Sequence, residues 1–148
     1  MAFGSTTREV DFDLTTQAVS DGTFVVALSG EIDLYTAPEL KAELLRLVAE
    51  EPQRIVVDMT DATFVDSTTL GVLLGAVKRL RLQGGELEIV CSDLNIRRIL
   101  SITLLDRAFT IYESLDEALR SQPLAEVASP LLAEAKQGSP PEQPQGLA

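Results

Sequence analysis

From residue 23 onward, short apolar runs alternate with helical periodicities four times, and this rhythm constrains the fold more than any other feature. Phe24-Val25-Val26-Ala27-Leu28 is continuously apolar and reads as a buried strand. A helix over 37–50 is predicted next, with Thr36 as its cap, Pro38 in its first turn and Leu40, Leu44, Leu47 and Val48 on one face. A second buried strand spans 54–59, and a second helix over 68–83 is stopped by Gly84-Gly85. A third strand over 87–91 leads through Ser92 as cap into a helix over 93–103. A short strand over 108–112 then leads through Ser114 into a helix over 115–121.

Ahead of this rhythm, Val10, Phe12 and Leu14 alternate with Asp11 and Asp13, the pattern of a strand with one wet face. Ser20-Asp21-Gly22 supplies turn chemistry, so the first two strands are expected to form an antiparallel hairpin. Continuous strands joined by helices call for parallel pairing with right-handed crossovers. The expectation is an α/β fold: one domain over 9–121, with a five-stranded, mostly parallel sheet and one antiparallel edge strand. Residues 1–8 read as a flexible N-terminus.

Residues 122–148 hold five of the seven prolines and close on Gly, Gln, Ser and Pro. Pro123-Leu124-Ala125-Glu126 is echoed by Pro130-Leu131-Leu132-Ala133-Glu134, which suggests a transient helix or a weak docking segment. Few apolar residues are available to repay ordering entropy, so disorder is the favoured expectation for this tail.

Composition removes several function classes. The chain has no His, hence neither the usual general base nor the commonest metal ligand. A net charge of −11 repels phosphate backbones and anionic lipid. No nucleic-acid or membrane partner is therefore expected. Such acidity suits a basic protein partner, or merely keeps a small protein soluble. A single cysteine, Cys91, excludes an intramolecular disulfide and fits a cytoplasmic location, with the thiol expected to be buried and inert. The N-terminus shows no secretory pattern, and the apolar runs are too short to span a membrane.

Function in open α/β sheets gathers at the carboxyl ends of the strands. That edge is expected to collect Gly30-Glu31-Ile32-Asp33, the stretch from Asp58 to Ser67, and Ser92-Asp93. Asp33, Asp58, Asp61 and Asp66 would then surround Ser67 and Thr68. Such carboxylates could attract Mg²⁺. Without a phosphate-gripping lysine or Gly-rich loop of its own, no dedicated metal site and no cofactor are expected. Catalysis by Ser67 is rejected, because no His, Ser-Lys arrangement or Gly-x-Ser-x-Gly is present to activate it. Ser67 is left as a helix cap or as the target of a kinase.

The helix that follows has Leu70, Leu73, Leu74, Val77 and Leu80 as its expected core stripe. Its opposing stripe reads Gly71, Gly75, Lys78, Leu82. Each interior glycine costs a helix about 1 kcal/mol relative to alanine. Two of them four residues apart either leave a smooth face for another backbone or relieve crowding within the domain.

Gly30-Glu31-Ile32-Asp33-Leu34-Tyr35-Thr36-Ala37-Pro38 and Phe64-Val65-Asp66-Ser67-Thr68-Thr69-Leu70-Gly71 together resemble the STAS domain family, and most of all its bacterial anti-sigma factor antagonists. Leu94-Asn95-Ile96-Arg97-Arg98-Ile99-Leu100 and the segment from Tyr112 to Leu119 are similar to that family's last two helices. The resemblance covers about residues 8–121. It implies a (βα)4 superhelix with an extra antiparallel edge strand. It also implies a non-enzymatic regulator that binds an anti-sigma factor serine kinase when unphosphorylated, and so releases a sigma factor. Phosphorylation at Ser67, with Thr68 as second candidate, would switch it off, and a PP2C-type phosphatase would restore it. The implied partner surface comprises Asp33, Thr36, Asp66, Ser67, Thr68, Thr69, Gly71, Gly75 and Lys78. Two positions depart from the family pattern: Thr69 and Leu104 stand where glycine is usual, and Thr69 is expected to narrow the approach to Ser67. The competing readings are a scaffold or accessory subunit, as in a stressosome-like or lipid-transport complex, with no phosphorylation switch, and a small nucleotide- or ligand-binding sensor that uses the same strand-end cleft. Self-association is left open.

Overall fold

The computed structural model describes residues 12–20, 22–103 and 107–121. Strands β1 (Phe12–Ser20) and β2 (Thr23–Ile32) are followed by α1 (Ala37–Val48), β3 (Arg54–Val65), α2 (Ser67–Leu82) and β4 (Glu86–Val90). Helix α3 (Leu94–Ile102), strand β5 (Thr110–Tyr112) and helix α4 (Leu115–Arg120) complete the order. The sheet runs β1-β2-β3-β4-β5, with β1 antiparallel to β2 and every later pair parallel. The expected α/β class and sheet composition are what the structure shows. Val10, the proposed flexible start, Leu104 and the tail over 122–148 lie outside the described residues.

Helices α1, α2 and α3 cover one face of the sheet. Leu40, Leu44 and Leu47 of α1 and Leu70, Leu73, Val77 and Leu80 of α2 share one buried cluster with Val26, Val57 and Ile89. The alternate residues Val25, Val56 and Val90 point to the other face, where Ala118 of α4 joins them. This division explains why the strands read as unbroken apolar runs: both faces are covered. Within α2, Ala76 is buried where Leu74 was expected, and Leu74 is only half-buried. Cys91 is fully buried and free, and burial pushes its thiol up from its ordinary value.

Two strands run further than their apolar runs. Strand β2 continues through Ser29, Gly30 and Glu31 to Ile32, and β3 continues through Thr60 and Asp61 to Val65. These polar stretches read as strand ends in sequence, yet they pair with each other in parallel from Ser29↔Asp61 to Ile32↔Val65. Beyond Asp58, which pairs with Val90, β4 gives β3 no partner. The β2–β3 pair thus projects as an arm past β4. Register shifts after Ala27 and after Gly30 bend the arm. Asp58 Oδ1 accepts from the Thr60 backbone N–H at 3.0 Å and from the Thr60 hydroxyl, pinning the first bend. Gly30 has φ +85°, a conformation that disfavours any side chain at the second.

Of three expected caps, one is replaced, one is present and one caps without its side chain. Helix α3 is capped by Asp93, which accepts from Asn95 N and Ile96 N at 2.8 and 3.1 Å, and not by Ser92. Ser114 caps α4 as expected, accepting from Glu117 N at 3.0 Å. Thr36 stands ahead of α1 without capping it through its side chain.

On the α4 face, Arg54 and Glu88 form an ion pair with side chains only 4% and 1% exposed. Arg54 Nε donates to Glu88 Oε1 at 2.7 Å, and its guanidinium also donates to the Ala118 carbonyl. Glu88 Oε2 has no partner among the described residues. Burial pushes the Glu88 carboxyl above its ordinary value, against the pull of Arg54.

Replacing Arg54 with alanine would orphan this carboxylate, and a loss of about 3–5 kcal/mol in urea unfolding at pH 7 is expected. Below the unfolded glutamate pKa, near 4.3, Glu88 is protonated in both states and its ionisation costs nothing. Stability tied to Glu88 is therefore lost as pH rises through its elevated folded value. The Arg54→Ala deficit should accordingly shrink between pH 7 and pH 4.

Candidate functional site

The site sits at the tip of the β2–β3 arm, where both strands hand over to helices. Asp66, in extended conformation, is the cap of α2: its Oδ1 accepts from Thr69 N at 3.1 Å. Thr69 is fully buried, and its hydroxyl donates to the Ile32 carbonyl at 2.9 Å. The Asp66 N–H donates to the same carbonyl at 3.3 Å. The start of α2 is thereby tied to the end of β2.

These contacts decide the status of Ser67. It is the first residue of α2 and not its cap, it is exposed, and its hydroxyl has no hydrogen-bond partner among the described residues. Thr68 is exposed beside it. As the first helical residues, both present backbone N–H groups with no acceptor further back in the helix. An added anion at Ser67 would meet those groups and the positive end of the helix dipole.

Thr69 corrects the sequence expectation in two respects. Its side chain is internal, so it offers nothing to a partner surface and does not narrow the approach to Ser67. Its β-branched hydroxyl instead satisfies a buried carbonyl.

Asp33 and Thr36 form a reciprocal pair ahead of α1. Asp33 Oδ1 accepts from Tyr35 N and Thr36 N at 2.9 and 3.1 Å, while the Thr36 hydroxyl accepts from Asp33 N at 2.8 Å. This has the logic of a capping box, with the carboxylate at Asp33 and not at the expected cap. Because Ile32 pairs with Val65, Asp33 and Asp66 emerge from neighbouring strands, about 5 Å apart.

The expected ring of four acids does not form. Asp58 lies seven strand positions before Val65, on the order of 20 Å down the arm, and its carboxylate holds a bend. Asp61 lies four positions before Val65 and is paired with Ser29. The sequence reading ended the strand too early and so gathered these residues at its edge. Among the described residues, no group of three His, Cys, Asp or Glu side chains is placed to hold a metal ion.

Three apolar residues at the tip were not singled out from the sequence. Tyr35 is 86% exposed, Leu34 59% and Phe64 49%, flanking Asp33 and Asp66. A cluster of large apolar side chains in water at one edge marks an interaction surface. Their signal was available in the polar neighbours Asp33 and Asp66, which place them outside any core-facing run.

Beside the tip, α1 and α2 leave a groove of ≈ 320 Å³, lined by Lys41, Leu44, Leu45, Thr68, Gly71, Val72, Gly75, Ala76 and Arg79. A Cβ added at Gly71 or Gly75 would meet nothing within 4 Å. The two glycines therefore relieve no crowding within the domain; they keep one wall of the groove low. Lys78 is exposed on α2 but does not line the groove, and Arg79 takes that position. The groove's rim is cationic although the chain as a whole is strongly acidic.

Residues 16–118 match the STAS domain family. The chain belongs to that family. An anti-sigma-B factor antagonist of Bacillus subtilis (strain 168) is 37% identical over 78 residues, covering 53% of this STAS chain and 71% of the relative. A protein of the same name from Staphylococcus aureus (strain NCTC 8325 / PS 47) is 31% identical over 107 residues, covering 72% and 96%. Among solved structures, an anti-sigma factor antagonist from Mycobacterium paratuberculosis matches with a TM-score of 0.68 at 33% identity, over 74% of this chain and 92% of that one. Among the described residues of this STAS domain, no helix is long and apolar enough to cross a membrane.

The division of labour between Asp66 and Ser67 is measurable. Asp66→Ala should cost about 1 kcal/mol by removing the cap. Ser67→Ala should change stability by less than about 0.5 kcal/mol, since its hydroxyl holds nothing in the fold. Gly71→Ala and Gly75→Ala should each stabilise the domain by up to about 1 kcal/mol, since the added methyl enters open space. Thermal or urea unfolding of the four variants checks all of these values.

Proposed function

We propose that this chain is an anti-sigma factor antagonist, that its partner is an anti-sigma factor with serine kinase activity, and that phosphorylation of Ser67 turns the interaction off. The observation that carries this reading is the Ser67 hydroxyl: exposed, unbonded, relieved of capping by Asp66, and set at the edge of an apolar tip. The 31–37% identity to proteins named anti-sigma-B factor antagonists supports the class of partner.

The docking surface in this reading is the tip formed by Leu34, Tyr35 and Phe64, together with Ser67, Thr68 and the low wall at Gly71 and Gly75. Asp33, Thr36, Asp66 and Thr69 shape it from beneath, through the hydrogen bonds described above. Exposed aromatic residues of this kind supply most of the affinity at protein interfaces.

Phosphate adds about −1.5 to −2 charges and three acceptor oxygens to Ser67. The open N–H groups of α2 would hold it locally without refolding. Its bulk and charge would stand in the middle of the docking surface, close to the carboxylates of Asp66 and Asp33. A penalty of about 3 kcal/mol weakens binding roughly a hundredfold, enough for a switch. A PP2C-type phosphatase would reverse it. Ser67 is thus a substrate and the chain not an enzyme. Thr68, also exposed but on the groove wall, is the second candidate for modification. A cytoplasmic location follows from this role.

With the cognate kinase and ATP, mass spectrometry should find one phosphate per chain, and Ser67→Ala should remove it. Ser67→Asp should weaken binding of the anti-sigma factor by tenfold or more while leaving the melting curve unchanged. Tyr35→Ala should weaken it by about tenfold, or about 1.4 kcal/mol, again without loss of fold. Labelling that persists in Ser67→Ala, or unchanged affinity in Ser67→Asp, would instead favour an assembly scaffold.

A further inference from the structure

The groove between α1 and α2 has a charge pattern opposite to that of the molecule around it. Lys41 and Arg79 line it, Lys78 lies beside Arg79, and none of the three has an ion-pair partner among the described residues. The arginines Arg46, Arg54, Arg81, Arg97 and Arg120 all have carboxylate partners, while Arg98 and Arg107, away from the groove, have none among the described residues. Unneutralised cations over an apolar floor, in a chain of net charge −11, suit an apolar segment that brings its own carboxylates.

The chain carries such a segment. Pro130-Leu131-Leu132-Ala133-Glu134 presents two adjacent leucines and a glutamate; Glu126 precedes it and Lys136 follows it, which leaves residues 122–136 with a net charge of −1. Its route is set by where the domain ends. Arg54 opens β3 and donates to the Ala118 carbonyl, so α4 finishes at the edge where the parallel strands start. Helix α2 finishes at the same edge: Glu86 N donates to the Gln53 carbonyl, and Glu86 pairs with Arg54. The chain therefore leaves Ser121 near the end of the groove that Arg79 occupies, separated from it by the thickness of the sheet and a helix. The sheet and helix layers together are about 20 Å thick, whereas the nine residues from Ser121 to Pro130 can span about 30 Å. The reach is sufficient.

We infer that residues 130–134 dock in the groove between α1 and α2 of the same chain, with Leu131 and Leu132 against its apolar floor and Glu134 at its cationic rim. A short tether holds such a segment at an effective concentration in the millimolar range, so a contact too weak to survive between separate molecules still fills the groove for a substantial fraction of the time. The ordering cost that argues against structure in an isolated tail is met here by a preformed surface. The docked segment would cover the Gly71–Gly75 wall and hinder any partner that approaches it. That consequence rests on the proposed function, whereas the docking does not.

The test uses the full chain with Ala133→Cys carrying a nitroxide; fully buried Cys91 stays unlabelled. The amide signals of Gly71 and Gly75 should lose about half their intensity relative to the reduced label, while Thr15 on β1 keeps its own. The double variant Lys41→Glu, Arg79→Glu should restore both glycine signals. Undiminished Gly71 and Gly75 signals would overturn the inference. So would broadening that survives the charge reversal, or broadening that appears between chains when labelled and isotope-enriched molecules are mixed.

Discussion

The carbonyl of Ile32 is the point on which the functional end of this domain depends. It is the last residue of β2, and it accepts both the Thr69 hydroxyl at 2.9 Å and the Asp66 N–H at 3.3 Å. Leaving a buried carbonyl unpaired costs about 1–3 kcal/mol, so this pairing fixes the first turn of α2 against the strand beneath it. Asp66 is thereby held where its carboxylate can cap the helix. Ser67 follows in a defined position with its hydroxyl free. The Ser67 hydroxyl is exposed because its neighbours Asp66 and Thr69 make the hydrogen bonds that hold this turn.

The same end of the domain is lifted clear of the rest. Four rungs of β2–β3 pairing beyond β4's reach carry the tip outward, and two bulges bend it. The arm is cheap to extend because each strand satisfies the other's backbone groups. It leaves Tyr35 almost wholly in water and Leu34 and Phe64 about half so, outside the buried core. Exposed apolar area of this kind is retained for contact with something else.

Net charge and local charge point in different directions. The body is acidic enough to suggest a basic partner, yet the groove next to Ser67 is edged by Lys41 and Arg79. Contact depends on the field at the contacting surface, where charges beyond about 8 Å are screened by physiological salt. The far side of the sheet has its own electrostatic fixture. Arg54 and Glu88 are buried together, and Arg54 also holds the Ala118 carbonyl, so α4 is attached by a charged contact at one end and by apolar packing along Val25, Val56 and Val90.

Several features were legible in residue order alone. The strand–helix alternation, the hairpin, the core faces of α1 and α2 and the buried Cys91 follow from periodicity and composition, which are local quantities. The Asp66-Ser67 step and the paired glycines were visible as motifs. Residue order did not show that Ser67 is uncapped and free, that Thr69 points inward, or that Asp58 and Asp61 lie down the arm. Nor did it show that Arg79 replaces Lys78 at the groove. Each of these depends on which backbone groups already have partners and on how far two strands pair, and both are settled only when distant segments meet. A polar stretch such as Ser29-Gly30-Glu31 reads as a strand end until Asp61–Val65 lies beside it. Sequence thus determined the elements and their faces, through side-chain pattern. Tertiary structure decided which hydroxyl is available, because availability is what remains once every buried donor and acceptor has been satisfied.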